Sequence, residues 1–145
     1  MKTIKTMNYI ILILLFLLNN TCKKNEDCHK IIKVFNTSNK AIYVQGSDGY
    51  PDTMYFKYNP NPALSPEINK VESGETNTTS LQIKDCWEIN IKNVMQSDKL
   101  MIYIFDSEIL ENIPWDTVIA NNMVLNRYDL SLEDLKNSNW SITYP

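Results

Sequence analysis

"KLMIYIFD", Lys99 to Asp106, is the stretch on which the reading of the fold turns. Six apolar or aromatic residues run unbroken between a lysine and an aspartate, so both faces of an extended segment are apolar. A strand of that kind belongs in the middle of a sheet that is covered on both sides. Just upstream, "CWEINIK", Cys86 to Lys92, alternates, with Trp87, Ile89 and Ile91 on one face and Glu88, Asn90 and Lys92 on the other. Period two predicts a half-buried strand, and Asn93 to Asp98 joins the two segments as an antiparallel hairpin. Cys86 then stands on the polar side of its strand, where a bridge to another cysteine is easy.

Further strands are expected on either side. "KIIKVFN" (Lys30 to Asn36) and "AIYVQG" (Ala41 to Gly46) are rich in β-branched and aromatic residues and are separated by four polar residues, a hairpin signal. "TMYFKYN", Thr53 to Asn59, alternates, with Met54, Phe56 and Tyr58 on one face. Asn59 to Ser80 holds three prolines and many small polar residues and reads as a long surface loop, with a short edge strand near Glu67 to Val71. In the last third, Pro114 is placed to open a helix carrying Trp115, Val118 and Ile119. "MVLNRYDL" fits either a strand or the continuation of that helix. "SLED", Ser131 to Asp134, is a capping-box pattern with Asp in place of the usual Glu or Gln, opening a helix to about Asn137. "WSITYP" closes as a strand with Trp140, Ile142 and Tyr144 inward. The fold class expected is mainly β, an antiparallel β-sandwich with one or two short helices in the C-terminal third.

The N-terminus supplies an address. Lys2 and Lys5 precede ten uninterrupted apolar or aromatic residues, Tyr9 to Leu18. A membrane-spanning helix needs about 20 apolar residues, so this run is too short to span, and a basic start with a short apolar core reads as a signal peptide over residues 1–21. No frame offers small residues at both cleavage positions. Leu17-Leu18-Asn19-Asn20-Thr21-Cys22 resembles the lipobox of bacterial lipoproteins, in a relaxed form with Thr21 where Gly, Ala or Ser is usual. The resemblance implies cleavage before Cys22 and lipid attachment to it; the alternative is a free or disulfide-bonded Cys22. Residues 22–29 then form the lipidated cysteine and a tether, and residues 30–145 a single domain. Lys23 to Asp27 is also similar to the charged export signal of surface lipoproteins in Bacteroides-type bacteria.

"NTSNKAIYV", "YPDT", "DKLMIYIFD" and the whole segment from Pro114 to Pro145 are similar to a group of small lipoproteins of Bacteroides-type bacteria. That resemblance implies a bacterial outer-membrane location, at the cell surface or the periplasmic face, and a kind of fold. It carries over no catalytic residue.

Without the two lysines of the leader, 12 basic residues remain against 17 acidic ones, a net charge of −5. One arginine, Arg127, and scattered lysines disfavour nucleic acid and anionic lipid as partners. With Cys22 lipidated, Cys28 and Cys86 remain as a pair in an oxidising compartment. A bridge between them contributes about 4 kcal/mol on the chain-entropy model; two unpaired thiols are the other reading. His29 is the only histidine and sits in the expected tether, so neither a nucleophile–histidine pair nor a zinc site is expected, and no cofactor is implied. Paired acids such as Glu108 with Glu111 read as solvated surface. The chain is therefore read as a non-enzymatic binding or accessory module with a glycan or protein ligand, the alternative being an inhibitor or immunity-type lipoprotein acting on a protein. Tryptophans read as core, while Tyr50 and Tyr55, beside the turn "GSDGYPD", are candidate exposed binding aromatics. Thr53 and Thr117 lie in Asp-Thr-apolar triplets that resemble the O-glycosylation site of exported proteins in Bacteroides-type bacteria.

Overall fold

The computed structural model describes residues 28–145. The expected signal peptide, Cys22 and the tether up to residue 27 lie outside the described residues.

Strand β5 (Lys99–Asp106) is central, as its apolar pattern requires. It pairs antiparallel with β2 (Ile42–Ser47), Ile42 facing Asp106 and Ser47 facing Met101. On its other side it pairs with β6 (Asn126–Ser131), Lys99 facing Ser131. The two-residue β3 (Lys70–Val71) completes a four-stranded sheet in the order β3-β2-β5-β6. A second sheet of three strands runs β4 (Thr76–Asn77), β1 (Lys33–Asn36), β7 (Ser141–Tyr144), with β1 and β7 parallel.

From Leu100 to Phe105 no residue of β5 is more than 1% exposed. The pleat divides them. Leu100, Ile102 and Ile104 join Ile42 and Val44 of β2, Val34 and Ile142 of the second sheet, and Trp87, Ile91 and Leu135 in one apolar cluster. Met101, Tyr103 and Phe105 join Tyr43, Phe56, Leu110 and Val118 in another. Helices Ser107–Asn112 and Trp115–Ala120 supply Leu110 and Val118 to this second cover. The fold is thus mixed, with two sheets and several short helices. Helices are more numerous than expected and not confined to the C-terminal third: Pro66–Asn69 and Trp87–Ile89 precede β5, and three more follow it.

Several local expectations are corrected. The hairpin across residues 30–46 does not form, because β1 and β2 belong to different sheets. The cause is Asn36, fully buried, whose Nδ2 donates to the carbonyls of Lys40 (2.7 Å), Val71 (3.1 Å) and Glu72 (3.2 Å). Its Oδ1 accepts from Ser38 N and Oγ. These bonds build a wide corner, and the chain crosses between sheets. Thr53 to Asn59 is not a strand: Asp52 Oδ1 accepts from Met54 N (3.0 Å) and a 3-10 turn spans Tyr55–Tyr58. Phe56 is buried while Tyr58, two residues on, is 68% exposed, which a strand face would forbid. The loop expected over Asn59 to Ser80 contains β3 near the proposed edge strand, together with short helical turns. "MVLNRYDL" resolves as a strand from Asn126. The capping box forms as read: Asp134 N donates to Ser131 Oγ (3.2 Å) and Ser131 N to Asp134 Oδ2 (2.9 Å), opening the helix Leu132–Asn137.

Since both faces of β5 are sealed, Ile102→Ala is expected to destabilise the domain by about 2–5 kcal/mol. Chemical denaturation followed by tryptophan fluorescence measures this.

Candidate functional site

The segment expected as the strand partner of β5 is instead a helix, and it forms one wall of the site. Trp87 and Ile91 are buried, four residues apart, whereas Ile89 is 47% exposed and Glu88 only 7% exposed. That is helical spacing. Trp87–Ile89 is α-helical and Asn90–Val94 continues as a wider π turn, with Met95 N donating to Asn90 O.

Four ties hold the first turn of this helix. Cys86 is disulfide-bonded to Cys28. Trp87 N donates to His29 O (2.8 Å), and Trp87 Nε1 donates to Leu81 O (3.1 Å). The Glu88 carboxylate accepts from His29 N (3.0 Å) and lies 2.5 Å from His29 Nδ1. Burial opposes ionisation of Glu88, but the side-chain and backbone bonds from His29 outweigh it and hold the carboxyl below its usual range. An ionised carboxylate only accepts, so Nδ1 is the nitrogen that carries the proton. The His29 ring stacks on Trp140, centroids 4.4 Å apart. Trp140 has φ +56°, a left-handed conformation rare for a bulky residue. His29 is therefore part of the folded domain, fastened by Glu88 and Trp140.

Beside this wall lies a cleft of two lobes, about 270 and 290 Å³, which share Gly46, Asn59 and Ser80. A Cβ at Gly46 would stand 2.9 Å from Leu81 Cδ2, so a larger residue there would make the tip of the Leu81 side chain shift from where it closes over β2. Leu81 to Ile83 is fixed in turn by Ile32 N to Leu81 O (3.2 Å) and Ile83 N to Lys30 O (3.0 Å). Asp48, Gln82, Trp87 and Asn90 line the first lobe, and Gln45, Asn61, Ser65 and Asn69 the second.

Part of this polar lining frames the loops. Asn59 Nδ2 donates to Gly46 O (3.3 Å), Asn69 Nδ2 to Pro62 O (3.1 Å), and Ser80 Oγ to Asn77 Oδ1 (2.7 Å). Asn61 Oδ1 accepts from Ala63 N (2.9 Å). The rest is available, since the side chains of Asp48, Gln82 and Asn90 make no hydrogen bond to a described residue. Gln45 is 9% exposed; its Nε2 donates to Pro60 O (2.8 Å), while its Oε1 has no partner among the described residues. A buried acceptor left so costs about 1–3 kcal/mol.

Away from the cleft, Tyr43 Oη donates to Glu111 (3.0 Å), which also pairs with Lys70 (2.9 Å). Burial, then the Glu111 bond, pushes the Tyr43 hydroxyl up to about 12. Arg127 is paired with Asp129 through two bonds of 2.8 and 3.0 Å. Among the described residues no cluster of three or more His, Cys, Asp or Glu could hold a metal ion, and no helix is long and apolar enough to cross a membrane.

The sequence-derived candidates are not brought together. Thr53 and Thr117 are both exposed. Tyr50 is half-buried against the second cluster, with Lys99 Nζ 5.0 Å from its ring centroid. Tyr55 opens the 3-10 turn. Thr53, Thr117 and Tyr50 do not line the cleft. The cleft residues themselves are scattered amides from four segments, and only the density of Asn and Ser between Asn59 and Ser80 hinted at them. No family model, no curated protein and no solved structure matches this chain.

Glu88→Gln is expected to lower stability by about 2 kcal/mol at neutral pH, the worth of charge-assisted bonds. A carboxyl held below its unfolded value stabilises the fold above that value and loses the contribution as pH falls through the folded one. The difference between wild type and Glu88→Gln should therefore be full at pH 7 and shrink below the ordinary value of 4.5. Denaturation curves across pH 3 to 7 check the sign.

Proposed function

We propose that this chain is a lipid-anchored binding module of a bacterial envelope, attached through Cys22, and that the cleft between β2, the Asn59–Asn69 segment and the Trp87 helix is its ligand site. The observation that carries the binding reading is the cleft: preorganised amides, free polar groups and a buried oxygen with no partner in one concave place. The anchor rests on the lipobox-like run ending at Cys22, in keeping with a chain similar to small outer-membrane lipoproteins of Bacteroides-type bacteria. The Cys28–Cys86 bridge suits an exported protein. The shared cluster beneath the two sheets supports reading them as a sandwich, with the helices closing its outer face. The only histidine is engaged by Glu88 and Trp140 outside the cleft, which favours binding over acid–base catalysis.

Five residues separate Cys22 from Cys28, and the six steps between the cysteines reach at most about 20 Å. Cys28 is bonded to Cys86, next to the cleft residue Trp87. The cleft therefore meets its ligand near the bilayer surface.

Intact mass of the protein from its native membrane tests the anchor. The expected species begins at Cys22, carries acyl mass and moves to the soluble fraction when Cys22→Ala is made. A soluble, unacylated wild-type chain overturns the lipoprotein reading.

A further inference from the structure

We propose that the cleft takes a neutral, hydroxyl-rich chain, an oligosaccharide, as its ligand; this rests on the reading of the cleft as the binding site. The lining sets the charge. Among the described residues no lysine, arginine or histidine lines either lobe, and Asp48 is the one charged side chain. An anionic ligand finds nothing there to pair with and one carboxylate to repel it. Arg127, which could have bound an anion elsewhere, already grips Asp129.

The hydrogen-bond chemistry then selects a partner that both donates and accepts. Gln82 and Asn90 each offer a free carboxamide, which donates two hydrogens and accepts at oxygen. The Asp48 carboxylate can only accept. A sugar hydroxyl matches each of these, because it donates one proton and accepts at two lone pairs. In the first lobe Leu81, Trp87 and Leu100 are almost wholly buried, while Ile83 and Met95 there and the exposed Leu64 in the second lobe leave apolar surface that the C–H face of a sugar ring can cover.

Two observations favour a sugar chain over an extended peptide or a single small molecule. A peptide commonly binds by adding a strand to a free sheet edge through main-chain bonds. Here β3 covers only the first two residues of β2, and past it the Gly46 carbonyl is already taken by Asn59 Nδ2. That removes one of the main-chain acceptors an added strand would use. The two lobes are neighbours, with Gly46, Asn59 and Ser80 common to both linings, which offers adjacent places for consecutive units of a chain. Preorganisation by Asn77, which fixes Ser80, and by the pinned Trp87 helix lowers the ordering cost of binding.

The mature protein in detergent can be presented with neutral oligosaccharides, with sulfated and uronate-bearing ones, and with a peptide array. Neutral oligosaccharides are expected to be retained. The double variant Gln82→Ala/Asn90→Ala, which removes no internal side-chain bond, is expected to raise Kd by about tenfold or more, while Lys136→Ala leaves it unchanged. Preference for acidic oligosaccharides or for peptides, lost in the same double variant, overturns the sugar assignment and leaves the cleft as the site. Equal binding by wild type and double variant, or retention of none of the three classes, overturns both.

Discussion

The burial of β5 on both faces is the constraint from which the rest of the architecture follows. Six consecutive apolar or aromatic residues cannot be hidden by one layer, because alternate side chains leave the sheet in opposite directions. The chain meets this with two unlike covers. One is the second sheet with Trp87, Ile91, Leu135 and Trp140; the other is the turn carrying Phe56 and the two helices that follow β5. Phe56, Phe105 and Trp115 meet edge to face in the second cover, with centroids 5.7 to 5.9 Å apart. The edge of the central sheet is left to a two-residue strand, and the uncovered remainder of β2 becomes a wall of the cleft.

The pinning of the Trp87 helix links this core to the site. Trp87 and Ile91 belong to the first cluster, while Trp87 and Asn90 line the cleft. The disulfide and the His29–Glu88 pair fasten the same turn from outside. Stability and site geometry therefore depend on the same few residues. The same disulfide ties Cys28, at the start of the described residues, to the cleft wall.

Much of the fold was legible in the sequence. The central strand, the capping box at Ser131, the closing strand and the Cys28–Cys86 bridge could all be read from local pattern or cysteine arithmetic. What was not legible shares a cause. "CWEINIK" satisfies a period of two, yet Trp87 and Ile91 are also one helical turn apart, and the ties to His29 and Leu81 decide between the two readings. The ties to His29 come from a residue distant in sequence. The corner at Asn36 was hidden for the same reason, since its partners Val71 and Glu72 lie far along the chain. "TMYFKYN" misled because the Asp52 side chain competes with strand geometry. The cleft could not be read because its amides come from separate segments and carry no motif.

Hydrogen exchange of the protein, read by segment in the oxidised and the reduced state, asks whether a doubly covered β5 organises the fold and a pinned helix forms the cleft wall. The account predicts that Leu100 to Phe105 exchange slowest in both states, while residues 86–95 exchange markedly faster once the disulfide is reduced. Exchange of β5 as fast as that of the edge strand β6, or a segment 86–95 indifferent to reduction, would contradict it.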